Sequence, residues 1–423
     1  MSYIIGRVIR KRDMGGVLFI DLIYKIEVIQ IKFRKQNRKL FLISKDIKLG
    51  ALIKVVNLRK SNSKRIENYE VDDLEIISNS NIYFPDKRNN IEDKRSIYKN
   101  RYIHIGTNLD EKKTILARFK IIEYIRKYMY LKNFLEVETN ILNKNTEGSD
   151  CESFKTKSKE VSKELFLRIS PEINIKKLLV SGFQDIFEIG KSFRNEGLSK
   201  IHYQEFTTIE FYKINRDYKW GIKFTKKLIQ KIVKKLNKEN LTKYTNIGKF
   251  EVLTLSNSIL KYSAFNENDL EDNDLLLREI KRFNTSKYKE VLNLSNKMIQ
   301  LAYFELFIQR KLIKPTFITE FPIEDSILAK KKNKEVAERY ELYISGIEIA
   351  NGFTELNDYR EQKKRFIEQS SRNNKKINSD FIKALKFGMP KTMGCGIGID
   401  RLAMVILGKK NIRDVIPFID IRN

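Results

Sequence analysis

The sequence predicts an α+β fold: an antiparallel sheet flanked by helices, with a small all-β barrel ahead of it. Three observations carry this. Short strand patterns alternate with helical ones and several strands return as hairpins. Five short strands crowd the first 85 residues. The stretch from Phe187 to Tyr212 reads as strand, polar loop and strand, with Phe206, Thr208, Glu210 and Tyr212 sharing one face by the two-residue period.

Each element follows in order. The N-terminal strands are Ile4–Arg10, Val17–Leu22, Ile26–Phe33, Leu52–Asn57 and Tyr69–Ile77, separated by turn signals such as Asp13-Met14-Gly15-Gly16. Residues 82 to 107 read as a polar connection. Lys112 to Tyr130 is a helix, with Ile115, Phe119, Ile122, Ile125, Arg126 and Met129 near helical spacing, and Phe134 to Thr139 a strand. Leu165 to Ile169 is a strand, and Ser170-Pro171-Glu172 opens a helix through Val180. A Lys-rich helical region with the one Trp, Trp220, spans about 213–313, and its acidic patch Glu271–Glu279 reads as surface. Strands return at Phe317–Pro322 and Tyr340–Glu348, with a turn at Ser345-Gly346. Phe366 to Phe387 is helical, Gly394 to Ile399 a strand, and Arg401 to Leu407 a closing helix.

Composition narrows the function. The 423 residues carry 83 Lys plus Arg against 54 Asp plus Glu, a formal charge of +29. Such an excess favours a polyanionic partner, because each neutralised phosphate releases counterions. An AT-rich genome yields the same wealth of Lys, Asn, Ile, Phe and Tyr by codon drift, so the charge supports nucleic-acid binding without establishing it. The two cysteines, Cys151 and Cys395, and the two histidines, His104 and His202, offer no zinc-ligand spacing. The chain reads as reduced and cytoplasmic, with no apolar run of the roughly 18–20 residues that a membrane span needs. Its start, MSYIIGRVIRKR, has no signal-peptide core.

The hairpin sets a cation (Arg194), an aromatic plate (Phe206) and acids (Glu196, Glu210) on one wall. Those groups suit a phosphate, a flat base and an amine, although a hairpin with a solvated charged face would look the same. Phe193-Arg194-Asn195-Glu196, with His202 and Glu205-Phe206 after it, resembles motif 2 of the class II aminoacyl-tRNA synthetases. Gly394-Cys395-Gly396-Ile397-Gly398-Ile399-Asp400-Arg401 resembles motif 3. Ser170-Pro171-Glu172, Asn351-Gly352-Phe353-Thr354-Glu355 and Ile412-Arg413-Asp414-Val415 resemble the lysyl-tRNA synthetase family, over nearly the whole chain. Lys112 to Thr139 resembles motif 1, the dimer element of the class. Gly6-Arg7-Val8, Arg12, Gly15 and Phe19 are similar to the opening of the anticodon-binding OB-fold of that subgroup, and Phe84-Pro85-Asp86-Lys87 with Arg95–Arg101 to its linker.

The resemblance implies an OB-fold over residues 1–85, a linker over 86–110 and a class II catalytic domain over 111–423. It implies a homodimeric lysine–tRNA ligase that uses ATP, Mg²⁺, lysine and tRNA(Lys). Positioning and electrostatics carry such a reaction. Arg194 would hold the α-phosphate and the amino-acid carboxylate, since a guanidinium fork suits both. Arg401 would hold the γ-phosphate and sandwich adenine against Phe206, with Glu196, His202 and Glu348 also at ATP. Glu341 and Glu348 would hold Mg²⁺, brought together by the turn between them. For lysine, the resemblance places Glu210, Tyr212 and Glu355 at the ε-ammonium, Glu172 at the α-amino group and Asn351 at the carboxylate, with Phe353 beside them. Arg12, Phe19 and Gln30 would face the anticodon; Phe19, inside Val17-Leu18-Phe19-Ile20, reads equally as a core aromatic.

The chain departs from the family pattern in four places: Asn140 for a proline, Glu147-Gly148-Ser149 for paired glycines, Tyr203 for an asparagine and Gln204 for a proline. Three rival functions remain at this level. A lysine ligase acting on a protein lacks the N-terminal barrel in its known form. A catalytically dead nucleic-acid-binding relative would not need Arg194, Glu341, Glu348 and Arg401. An aspartyl or asparaginyl enzyme would place a cation where Glu355 stands.

Overall fold

The structure is a computed structural model, which describes residues 3–60, 68–81, 94–145, 151–160, 164–242, 247–373 and 378–419. The Phe84–Lys87 stretch and Glu147-Gly148-Ser149 lie outside these residues. The chain divides into two compact units, one of residues up to Ala117 together with the chain from Arg413 onward, the other Arg118–Ile412. Among the described residues no helix is long and apolar enough to cross a membrane.

The first unit is built on strands β1 (Tyr3–Asp13), β2 (Val17–Tyr24), β3 (Glu27–Arg34), β4 (Leu52–Val56), β5 (Arg59–Lys60), β6 (Asn68–Glu70) and β7 (Asp73–Ser78), in the order β5-β6-β3-β2-β1-β4-β7. That layout is consistent with an OB-fold. Alternation decides the inside: Ile4 and Val8, Leu18, Ile20 and Leu22, and Ile53 and Val55 are buried together. Helix α1 (Arg38–Asp46), between β3 and β4, is one the strand count did not anticipate. Asn37 caps it by accepting from Leu40 N at 3.3 Å, and it buries Leu40 and Phe41. The strand expected over Tyr69–Ile77 is two, because β6 pairs parallel with β3 and β7 antiparallel with β4. The described part of the polar connection, from Lys94, holds two short helices, α2 (Lys94–Lys99) and α3 (Arg101–Thr107). The returning chain packs there: Tyr98 donates to Asp414 Oδ1 and Arg101 to the Asp414 carbonyl, each at 2.6 Å.

Helix α4 (Leu109–Leu131) leads into the second unit. Its buried positions there include Ile121, Ile125 and Met129, while Phe119, expected on the same stripe, is 49% exposed. The strand expected at Phe134–Thr139 shrinks to β8 (Leu135–Glu136). A small sheet follows from β9 (Leu142–Asn143), β10 (Lys155–Lys157) and β11 (Glu164–Leu167), then helix α5 (Glu172–Val180) and the hairpin β12 (Ile186–Phe193) and β13 (Glu205–Ile214). Helix α6 (Tyr218–Lys238) begins at Asp217, whose side chain accepts from Trp220 N. The expected helical region also contains a strand, β14 (Glu251–Thr254), ahead of α7 (Leu255–Tyr262), α8 (Glu267–Glu271), α9 (Asn273–Phe283), α10 (Thr285–Val291) and α11 (Asn296–Tyr303). Then come β15 (Thr316–Thr319), β16 (Arg339–Ile344), β17 (Ile347–Thr354), α12 (Tyr359–Asn373), α13 (Ser379–Phe387), β18 (Thr392–Gly398) and α14 (Ile399–Ile406). The helix expected over Phe366–Phe387 is thus the pair α12 and α13.

The main sheet has eight strands in the order β14-β15-β16-β17-β18-β13-β12-β8. It is antiparallel from β15 to β12, with a parallel strand at each edge. Period-two alternation gives it two faces. Phe211 of β13 meets Phe224 of α6 at 5.1 Å on one face. Phe206, Thr208, Glu210 and Tyr212 point to the other, into a cleft. Helices α5, α12 and α13 share a core with Tyr212, which sets α5 beside that cleft.

Candidate active site

The cleft is a cavity of about 260 Å³ lined from α5, from β13, β17 and β18, from the loop between β12 and β13, and from the start of α14. It gathers Glu172, Arg194, Glu196, His202, Phe206, Glu210, Tyr212, Glu348, Asn351, Phe353, Glu355 and Arg401. Of the residues expected in the catalytic site, Glu341 alone is not on its wall. The cleft has a cationic end and an acidic end.

At the cationic end, Arg194 follows the last residue of β12, and its backbone N–H donates to the Gln204 carbonyl at 2.9 Å, closing the loop. Gln204 adds a bond that a proline could not, from its side-chain amide to the Glu196 carbonyl at 3.0 Å. The Arg194 guanidinium lies 5.2 Å from the centre of the Phe206 ring, and its Nε is buried with no hydrogen-bond partner. A buried, unanswered donor on a fixed cation is costly unless an anion completes it. Arg401, in the first turn of α14, donates to the Glu348 carboxylate at 3.0 Å and to its carbonyl at 3.1 Å. His202 bonds Ser199 at 2.8 Å. Its pKa is lowered, first by desolvation and then by the Arg401 charge.

Glu341 and Glu348 stand on the two strands of the β16–β17 hairpin. Its turn needs left-handed backbone at Ser345 (φ 53°) and Gly346 (φ 74°). Glu341 is buried, opposite Asn351 in the register, and held by Arg339 at 2.5 Å and by the Tyr343 hydroxyl. Burial pushes its carboxyl up to about 7 against the pull of Arg339, and Glu348 adds to the rise. Among the described residues no three metal-ligating side chains gather at one point.

The acidic end is deeper. Glu355 follows β17 and is 1% exposed. Glu210 is buried and accepts from the Tyr212 hydroxyl at 2.9 Å. Glu172 opens α5 behind Pro171, where a carboxylate suits the helix dipole. Between Glu172 and Glu355 lies Lys176, 2.7 Å from Glu172 Oε1 and 2.5 Å from Glu355 Oε2. Neither Glu355 oxygen meets a donor in hydrogen-bond geometry, and of the two Oε2 alone has the Lys176 ammonium as an ion partner. Burial, against the pull of Lys176 and with Glu172 adding, pushes the Glu355 carboxyl up to about 8. Gly394 makes the room: a Cβ there would stand 2.0 Å from Glu355 Oε1 and 2.6 Å from Tyr212 Cε1.

A buried brace supports the cationic end. Arg118 of α4 pairs with Asp400 at 2.8 Å and donates to Thr207 Oγ1 at 2.9 Å, and Thr207 N donates to Asp400 Oδ2 at 2.7 Å. Asp400 and Thr207 flank Arg401 and Phe206 in sequence. Sequence reasoning passed over Lys176 and Arg118; the only trace was the helical spacing of Glu172 and Lys176.

The chain from 93 to 422 matches the family model for class II tRNA synthetases (D, K and N). The chain belongs to that family. Among its relatives, the protein named lysine–tRNA ligase of Wigglesworthia glossinidia brevipalpis is 36% identical over 99% of this chain and 88% of its own length. The lysine–tRNA ligase of Campylobacter jejuni is 34% identical over 99% and 86%, and that of Paraburkholderia xenovorans 39% identical over 83% and 71%. The hairpin β12–β13 is thus motif 2 of a class II synthetase, and the strand β18 with the head of α14 is motif 3.

In the first unit, the outer face of β1–β3 carries the residues expected at RNA. Phe19 alternates with buried Leu18 and Ile20, so it lies off the core; it pairs across the sheet with Arg12, whose guanidinium is 5.8 Å from its ring. Gln30 sits lower, buried, with its amide donating to Asp21 Oδ1 at 2.7 Å; Asp21 also pairs with Arg10 and Arg12.

Proposed function

We propose that this class II synthetase is a lysine–tRNA ligase whose cleft binds ATP at the cationic end and lysine at the acidic end. The lysine carboxylate attacks the α-phosphorus of ATP, displacing pyrophosphate and giving lysyl-adenylate. A ribose hydroxyl at the 3′ end of tRNA(Lys) then attacks the carbonyl carbon, loses its proton and releases AMP. One observation carries the choice of lysine: the innermost wall is acidic, formed by Glu210 and Glu355, and the buried Glu355 keeps an oxygen without a partner. A distal ammonium answers that demand, whereas a neutral or acidic side chain leaves buried charge uncompensated.

The roles follow from chemistry. Arg194 holds the α-phosphate and the lysine carboxylate, aided by Asn351. Phe206 and Arg401 hold adenine, with Arg401 on the γ-phosphate and Glu196 and His202 at the rim. Glu172 takes the α-amino group; Glu210, Tyr212 and Glu355 take the ε-ammonium, with Phe353 as an apolar wall. Magnesium fits Glu341 and Glu348, because it commonly takes one or two carboxylates and fills its shell from phosphates and water. Burial and mutual repulsion raise Glu341, and a cation would relieve both. Mg²⁺ would supply charge neutralisation at the phosphates. Arg12, Phe19 and Gln30 form the anticodon face, with Phe19 stacking on a base. Exposed Phe119 and Leu131 of α4 and Leu135 of β8 support a homodimer through the motif 1 element. This reading places the enzyme in the cytoplasm.

The test is charging. With ATP, labelled lysine and unfractionated tRNA, acid-precipitable label should form and vanish with ribonuclease. Label that enters protein, or none at all, would refute the tRNA substrate.

A further inference from the structure

The acidic end of the cleft already contains an ammonium. Lys176, on the inner side of α5, is wholly enclosed, between Glu172 and Glu355. The rings of Phe353 and Phe381 lie 5.3 and 5.8 Å from its Nζ. Burial alone strips a lysine of its proton. Here burial opposes the charge, but Glu172 and Glu355 outweigh it and raise the pKa of Lys176 above the ordinary value. Every charged group that α5, β13 and β17 bring to this point is accounted for: Glu172 and Lys176, Glu210 beside the Tyr212 phenol, and Glu355. The acidic end therefore holds three carboxylates and one resident cation, which pairs with two of them, Glu172 and Glu355.

Lysine brings two ammonium groups and one carboxylate, and the carboxylate goes to Arg194. With Lys176 in place the two remaining negative charges match the two ammoniums. Without it the pocket holds one carboxylate too many, buried, and takes up a proton instead. We propose that Lys176 is a positioning and specificity-determining residue, a resident counter-cation that fixes the Glu172 and Glu355 carboxylates and trims the pocket's charge to match an amino acid with two ammonium groups. This rests on the placement of the ε-ammonium at Glu210, Tyr212 and Glu355. Oxygen is shared in keeping with it: Glu355 Oε2 faces Lys176, and Oε1, beside Gly394, is left for the substrate.

A merely structural lysine would alter rates uniformly with pH; a counter-cation alters the pH at which the pocket accepts substrate. Glu355 must be ionised to hold an ammonium. Lysine use in the wild type should therefore rise with pH towards about 8, where burial places Glu355. Removing Lys176 removes the group that holds Glu355 down, so the rise should move to higher pH. The experiment is lysine-dependent ATP–pyrophosphate exchange over roughly pH 6–9, with lysine and ATP varied independently. It compares wild type, Lys176→Met, Lys176→Gln, Lys176→Arg and Glu355→Gln, with folding checked by circular dichroism.

Both neutral variants should lose roughly tenfold or more in kcat/KM for lysine at neutral pH, with the midpoint raised by about one unit and the KM for ATP little changed. Lys176→Arg should keep the wild-type midpoint. A neutral variant with the wild-type midpoint and a uniformly lower rate would overturn the role of Lys176. If Glu355→Gln instead leaves lysine use intact, the placement of the ε-ammonium itself is wrong. If neither neutral variant folds, the arginine variant decides: a displaced midpoint with the charge retained overturns the proposal.

Discussion

Glu355 shows how much one buried carboxylate asks of its surroundings. Its ionisation is opposed by burial and by Glu172 and favoured by Lys176. Glu355→Gln keeps the shape and removes one charge. A charge-assisted bond to a desolvated ammonium is stronger than a neutral one, so kcat/KM for lysine should fall by roughly 2–4 kcal/mol, about thirty- to a thousand-fold. The dependence on ATP should stay put, which initial rates with each substrate varied will show. The same substitution has a signature in stability. A carboxyl at about 8 in the folded protein and near 4.5 when unfolded holds its proton longer in the native state, so wild-type stability is fullest below the unfolded value and declines as pH rises through 8. The glutamine variant lacks this slope, at most about 1.4 kcal/mol per pH unit. Melting at pH 5 and pH 8 should show the variant gaining on wild type at the higher pH. At the other end of the cleft, Arg194→Ala should abolish adenylate formation in a folded protein, because it removes a cation on the cleft wall whose Nε is buried without a hydrogen-bond partner. Near-normal pyrophosphate exchange would refute that role. Arg194 and Glu355 were legible in the sequence from their motifs. Lys176 was not: in a chain so rich in lysine, a helical lysine reads as solvated, and only the packing of α5 against α12 and α13, with Phe353 and Phe381 beside the ammonium, turns it inward.

Among the elements, β18 shapes the pocket by what it lacks. Gly394 leaves the space that Glu355 and Tyr212 fill, and Gly394→Ala would drive a methyl to 2.0 Å from the Glu355 carboxylate. The neighbours are two buried side chains, the Glu355 carboxylate and the Tyr212 ring, which leave little room to relax. The variant should lose lysine-dependent exchange at least as severely as Glu355→Gln, with ATP binding, measured by nucleotide fluorescence, much less affected. Equal loss of both would mean that the strand itself had shifted. The hairpins β12–β13 and β16–β17 were readable in advance because their period is two and their turns carry polar or left-handed residues. Helix α1 and strand β14 were not. The first is a short capped helix among strands, and the second is an edge strand whose four residues become a strand only by pairing with β15. The shortness of β8 has the same origin, since it pairs over only two residues with β12.

At the scale of the whole molecule, the positive charge and the N-terminal sheet point to RNA, while the chemistry is confined to the second unit. Phe19→Ala should therefore weaken tRNA charging by about 1–3 kcal/mol, the worth of one base stack, and leave pyrophosphate exchange untouched. Equal loss in both assays would make Phe19 structural. The exposed apolar residues of α4 and β8 predict a dimer by sedimentation at micromolar concentration; an active monomer would contradict it. The order of motifs 2 and 3 was visible in the sequence and identified the class, but the sequence did not show that Arg118 ties α4 to Asp400 and Thr207. The central claim is that this cleft selects lysine by charge, and amino-acid-dependent ATP–pyrophosphate exchange across all twenty amino acids tests it most directly. Lysine alone should support rapid exchange, and Glu355→Gln should remove that preference. Exchange driven by aspartate or asparagine, or a preference for lysine that survives Glu355→Gln, would contradict it.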